Sequence, residues 1–245
     1  MRAVSLVFVL LLLILWQFIN LFYQSPFIPS PLTILESIKE FFENKSLLYN
    51  IYDSLKRFII GFCIASLLGI FIGLIFGYFK KIELLFEPLI AFFRPISALA
   101  FFPLIVLYIG IGDKAVILVI VYAMFFPLCL LCISAVRSIA KEKFLMAKNF
   151  GASSRLIFTQ IIIPETLLHI ASGLKIAASL AWINLVAGEM LGVQSGLGYM
   201  IIDGRNLMRM DMVFVGIFFI GLIGILIHWF FAFIEFAIKK RLGKI

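Results

Sequence analysis

The chain has 245 residues, 64% of them hydrophobic and 14% charged, with a formal net charge of +8. Soluble domains carry about 25% charged residues, and several apolar runs here reach the roughly 20 residues that span a bilayer core, so one soluble core is excluded. The basic excess is not matched by a groove-binding helix or stacking platform, which argues against nucleic acid and for positive loops on the cytoplasmic side of a membrane.

An apolar run from Val4 to Ile19 follows Arg2 without a small-residue cleavage site, and it reads as an uncleaved first span. Pro26, Pro29 and Pro31 then break the helix. Ser30 with Pro31 at the first position predicts a new helix start. Leu32, Leu35, Ile38 and Phe42 form its expected apolar stripe, opposite Glu36, Lys39, Glu40 and Glu43, so the segment reads as an amphipathic connector on the outer surface.

The second span is expected from about Ser54 to Phe79, with Gly61, Ala65, Gly69, Gly73 and Gly77 on one ridge. Small residues every four positions let a neighbouring helix approach closely. The third, about Leu84 to Gly110, is interrupted by Pro88, Pro95 and Pro103 and holds Arg94, a charge that either lines a pathway, pairs structurally or reaches the inner interface. The fourth covers Lys114 to Val136. Its Cys129 and Cys132 have C-x-x-C spacing, but an all-apolar helix makes them packing residues.

The stretch Arg137 to Glu165 is polar, with Arg137, Lys141, Lys143, Lys148 and Arg155 between two apolar runs. Each charge would cost about 2.5–3.5 kcal/mol at a bilayer centre, so the segment faces water. Phe144, Ala147 and Gly151 share a helical stripe, and Pro164 is expected to stop the second half after Ile161, Ile162 and Ile163. Two short helices with a turn near Gly151 follow, lying on the cytoplasmic surface. A fifth span is expected over Ile170 to Val193, containing Lys175, Asn184 and Glu189. A glycine-rich outer loop with Asp203, Arg205, Arg209 and Asp211 comes next, then a sixth span over Met212 to Ile238 and a basic tail. Twelve basic residues fall in the inside loops and tails of this topology and five in the outside ones, which places both termini in the cytoplasm.

A gradient-driven carrier normally keeps carboxylates near the midplane, and Glu189 is the one acid clearly deep in a span. A membrane-embedded enzyme needs a nucleophile with a base or metal beside it, and neither His169 nor His228 has such a partner in view. No G-x-x-x-x-G-K-[ST] loop occurs. The economical reading is a conduit driven from outside the chain through the polar hairpin, with a gradient-driven secondary transporter or a membrane-embedded enzyme as the alternatives.

The hairpin resembles the EAA loop of the membrane subunits of ABC importers: Glu-Ala-Ala, three residues, Gly, nine residues, then Ile-x-Leu-Pro. Ala147, Gly151, Ile161 and Pro164 match, while Leu145, Met146 and Ile163 stand where the pattern has Glu, Ala and Leu. The stretches SLKRFIIGFCIASLLGIFIGLIFG, PLIVLYIGIGDK and GLKIAASLAWINLVAGEMLGVQSGLGYMI are similar to the nitrate, sulfonate and taurine branch of these permeases.

That resemblance implies an all-α, six-helix type I ABC importer permease fold in the bacterial inner membrane. Residues 1–49 would hold the first span and connector, 50–238 the permease core with the coupling hairpin at about 137–165, and 239–245 the basic tail. It further implies a second permease copy as a homodimer, two copies of a soluble ATPase that carry ATP and Mg, and an extracytoplasmic solute-binding protein. The chain itself would bind no cofactor and catalyse no reaction. Ala147, Lys148, Gly151, Ala152, Arg155, Ile161, Ile163 and Pro164 are the expected ATPase-coupling residues, and Arg94, Asn184 and Glu189 are candidates for the translocation pathway.

Overall fold

The computed structural model describes residues 11, 14–22 and 27–243, and the described residues are helical with no strand. We number the helices α1 (Pro31–Glu43), α2 (Ser46–Tyr78), α3 (Lys80–Phe93), α4 (Phe102–Ile109), α5 (Asp113–Arg137), α6 (Lys141–Asn149), α7 (Ser154–Ile157), α8 (Ile163–Gly192), α9 (Leu197–Asn206) and α10 (Met210–Arg241). Four helical stretches are long and apolar enough to cross a membrane: α2, α5, the continuous Ser154–Gly192 and α10. The bent pair α3 and α4 makes a fifth if it counts as one span. The expected first span, Val4 to Ile19, lies largely outside the described residues, although Trp16 packs its ring against Phe214 at 5.5 Å.

The helix at Pro31 begins as its sequence predicts, with the Ser30 hydroxyl accepting from the Thr33 amide at 3.1 Å. The face it turns to the bundle lies beside that apolar stripe. Ile34, Ser37 and Phe41 are buried, whereas Leu32 and Leu35 are exposed. The reason is polar: Ser37 donates to Asp211 of α10 at 2.9 Å, and Arg209 lies 5.1 Å over the Phe41 ring. Hydrocarbon is as good a solvent for leucine as a protein core, so the hydroxyl and the cation–π contact decide which face turns inward.

The small-residue ridge of α2 packs on α5. A side chain at Gly61 would meet Ile120, at Gly69 Leu128, and at Gly77 Val136, each partner lying 59 positions further along the chain. A constant offset means two helices running parallel in register. A parallel neighbour requires a return path across the bundle, which α3 and α4 supply.

That return path is broken rather than merely bent. The axes of Lys80–Phe93 and Ala98–Ile109 differ by 82°, with Pro95 in the gap. Pro95 offers no N–H to the Ala91 carbonyl, and the Tyr122 hydroxyl of α5 donates to the Phe93 carbonyl at 2.7 Å. The chain also departs from expectation at Pro164 and after Gly192. Pro164 sits in the first turn of α8 and does not stop the helix, because a π-turn over Phe158–Ile162 leads directly into it. The supposed loop after Gly192 contains α9, which buries Leu197 and Met200 against α8 and α10.

Candidate functional site

Three features carry polar chemistry: the hairpin, a buried ion cluster at the opposite end of the bundle, and cavities beside the broken helix. The hairpin is shaped by Gly151. Its φ of +75° suits glycine, and no atom lies within 4 Å of where a Cβ would stand, so backbone conformation rather than crowding selects the residue. The Gly151 amide donates to the Lys148 carbonyl at 2.9 Å and the Ala152 amide to the Ala147 carbonyl at 3.0 Å, which is a Schellman cap on α6. Ser153 then caps α7, its hydroxyl accepting from the Leu156 amide at 3.3 Å.

The hairpin is fastened to the bundle by one face. Phe144, Ala147 and Ala152 pack on a cluster containing Leu74, Val136, Ile139, Ile157 and Ile162. Ile157 and Ile162 are both buried because the π-turn separates them by one turn of five residues; Ile161 is half-buried and Ile163 and Pro164 are exposed. Ion pairs Arg137–Glu83 and Lys143–Glu165 tie the hairpin and its approach to α3 and α8. The other face holds Leu145, Met146, Phe150 and Leu156, all exposed, beside exposed Lys148 and Arg155. Phe150, 86% exposed, is the most exposed of these. Large apolar side chains with cations among them, on a segment too charged for lipid, form a surface whose chemistry suits contact with a soluble protein.

At the opposite end, Glu189 is fully buried (0% exposed) and Arg57 nearly so (2%). Arg57 donates from Nη1 to Glu189 Oε1 and to the Ser195 carbonyl, both at 2.8 Å, from Nε to Asp113 Oδ1 at 2.8 Å, and from Nη2 to Ser195 Oγ at 2.7 Å. The Ser54 hydroxyl lies 2.9 and 2.8 Å from the two Glu189 oxygens, and the Gly198 amide donates to the carboxylate at 3.0 Å. Gly196, at φ +106°, brings the loop so close that a Cβ there would strike this carboxylate. The cluster therefore fastens α2, α5, α8 and the start of α9 into one body.

The three pathway candidates separate accordingly. Glu189 belongs to the ion cluster, whereas Arg94 and Asn184 line one cavity beside the α3–α4 break. Arg57 is not among the residues that the sequence singles out. Its signal was position: Ser54, Arg57 and Gly61 are spaced three and four apart along the ridge that faces α5 and α8. A second tie joins α8 to α10, where Ser172 donates to Glu235 at 2.7 Å and Lys175 pairs with the same carboxylate. Outside the spans, Arg209 is held above the ordinary arginine range, chiefly by its hydrogen bond to Asp211.

Residues 65–240 match the family model for the binding-protein-dependent transport system inner membrane component. The taurine transport system permease of Escherichia coli is 31% identical, the match covering 89% of this chain and 82% of the relative. The nitrate import permease of Synechococcus elongatus is 28% identical over 87% and 81% of the two chains. In structure, the chain is similar to one from the inward-facing MetNI methionine ABC transporter, with a TM-score of 0.68 at 16% identity, covering 77% of this chain and 94% of that one; this likeness shows the fold. The parallel α2–α5 pair, fastened at one end by buried ions and bearing an exposed hairpin at the other, thus takes the type I importer permease fold, and the chain belongs to the binding-protein-dependent transport system inner membrane component family, in its nitrate, sulfonate and taurine branch.

Proposed function

We propose that this chain is the membrane-spanning subunit of an ATP-driven importer for a small solute of the nitrate, sulfonate or taurine kind. It works by alternating access and is moved by a separate ATPase that grips the hairpin. The observation that carries this reading is the hairpin itself: one face packed on the bundle, the other presenting Leu145, Met146, Phe150 and Leu156 with Lys148 and Arg155 to solvent. A lever must be stiff at its root and free at its tip. The Arg137–Glu83 and Lys143–Glu165 pairs and the capped turn at Gly151 provide the first, and the exposed face provides the second.

In this arrangement the hairpin end lies in the cytoplasm of the bacterial inner membrane, with both termini on that side. A second copy of the chain completes the permease, two ATPase subunits bind ATP and Mg below it, and an extracytoplasmic binding protein delivers solute above. Leu145 replaces the acid of the EAA pattern, so docking here relies on apolar contact and on the cations Lys148 and Arg155, and the complementary ATPase groove is apolar with carboxylates at its rim. ATP shifts the equilibrium between inward-open and outward-open bundles by binding one closed ATPase arrangement more tightly.

The test is purification of the tagged chain from its own membranes. ATPase subunits should accompany it and be lost in Phe150→Asp, while the variant still inserts. Solute uptake by vesicles that hold the purified chain alone, without ATP, would overturn the proposal in favour of a gradient-driven carrier.

A further inference from the structure

Two cavities flank the break between α3 and α4, and they share one side chain. The first, about 360 Å3, lies toward the hairpin between α3 and α5; its charged lining is Glu83, Glu87, Arg94 and Arg137. The second, about 210 Å3, lies past the break and is lined by Arg94, Ser97, Tyr122, Phe126, Asn184 and neighbouring apolar groups. Glu83 and Arg137 neutralise each other in the first. Glu87 stands seven residues before Arg94, about 10 Å away along α3. In the second cavity Arg94 is the one charged lining group among the described residues, and no ion pair or hydrogen bond engages it there.

A guanidinium without a counter-charge in a membrane-spanning segment costs several kcal/mol unless water or an anion reaches it, and the Arg94 side chain is exposed at the break. Arg94 follows the 14 residues of α3, about 21 Å from its start, so the helix end does not by itself carry it to an interface. The polar groups around it are partly engaged. Tyr122 spends its proton on the Phe93 carbonyl, and Asn184 donates to the Leu180 carbonyl at 2.9 Å. The donors left to a solute are the Arg94 fork, the Ser97 hydroxyl and the second Nδ2–H of Asn184.

We infer that this second cavity is an anion subsite of the transport pathway, in which Arg94 takes a small sulfonate- or nitrate-type oxyanion through paired N–H···O bonds and Ser97 adds a third donor. Glu87, on the hairpin side, repels the anion from resting in the first cavity and so favours its onward passage. This deepens the permease reading and rests on it.

The experiment uses the permease with its ATPase in vesicles and a cysteine reporter, Ser97→Cys. The probes are two thiol reagents of equal reach and opposite charge, 2-sulfonatoethyl and 2-(trimethylammonio)ethyl methanethiosulfonate. Rates are taken relative to the chain without the introduced cysteine, since Cys63 is itself exposed. One unit charge at ~7 Å in a wet cavity changes each rate about threefold in opposite senses. The sulfonate-to-ammonium rate ratio should therefore fall about five- to tenfold on adding Arg94→Gln and stay within about twofold on adding Arg94→Lys. Asn184→Cys reports from the facing wall should Ser97→Cys not accumulate. An unreactive reporter, or a ratio indifferent to Arg94→Gln, overturns the subsite. Co-purification of the ATPase from the same preparations reads the permease assignment separately: its absence defeats that assignment, while its presence with a flat ratio defeats the anion subsite alone.

Discussion

Replacing Arg57 by leucine would leave the Glu189 carboxylate fully enclosed without its cation. Removing one partner of a buried pair costs about 3–5 kcal/mol. Ser54 and the Gly198 amide still donate to the carboxylate, so the lower part of that range, about 3 kcal/mol, is expected. Glu189→Gln keeps the volume and leaves Arg57 bonded to Asp113 and Ser195, and about 1–2 kcal/mol follows. Asp113, close to half exposed, should lose about 1 kcal/mol or less as Asp113→Asn. The double variant Arg57→Leu with Glu189→Leu removes both charges and should recover at least about 1 kcal/mol over Arg57→Leu alone. Unfolding titrations of the purified chain in mixed micelles, read as folded fraction against denaturing detergent, measure all four. Were Arg57→Leu to lie within ~1 kcal/mol of the unaltered chain, or the double variant to be no more stable than the single, the cluster would not be the fastening described above.

Further expectations concern packing and the hairpin. Gly73→Leu should abolish accumulation of folded chain, because a Cβ alone would lie 2.6 Å from the Cys129 carbonyl oxygen and 2.6 Å from Cys132 Cβ. Gly221→Ala, with open space around it, should be within ~0.5 kcal/mol of neutral in the same titration. Gly151→Ala forces a Cβ into a left-handed conformation worth about 1–2 kcal/mol; faster hydrogen exchange at the Gly151 and Ala152 amides should report it, with uptake reduced more than membrane insertion. Lys143→Met removes an ion pair whose partners are both well exposed and should change stability by less than ~1 kcal/mol; a larger loss would mean that the hairpin is anchored differently.

The elements whose evidence is local were readable from the sequence. Apolar length announced the spans, Ser30 with Pro31 announced a helix start, Gly151 announced the turn, and the four-residue rhythm from Gly61 to Gly77 announced a close helix contact. Each depends on a residue's own backbone preference or on neighbours within a turn or two. What depended on distant neighbours was not readable. The apolar stripe of Leu32 and Leu35 gave no sign that Ser37 meets Asp211, and Pro164 looked like a stop until the π-turn placed it in a first turn. The interruption at Pro95 became a full break in the fold, where the Phe93 carbonyl accepts from both the Ile96 amide and the Tyr122 hydroxyl.

The sequence alone thus determined that the chain is a membrane bundle with a water-facing hairpin, because hydrophobic length, charge and glycine conformation act locally. Only the tertiary structure decided that Arg57 and Glu189, 132 positions apart, neutralise each other, and that Arg94 instead stands unpaired beside Asn184. Whether a charge within a span is structural or available to a solute depends on which counter-charge the fold brings within about 3 Å, and one-dimensional spacing carries no record of that distance.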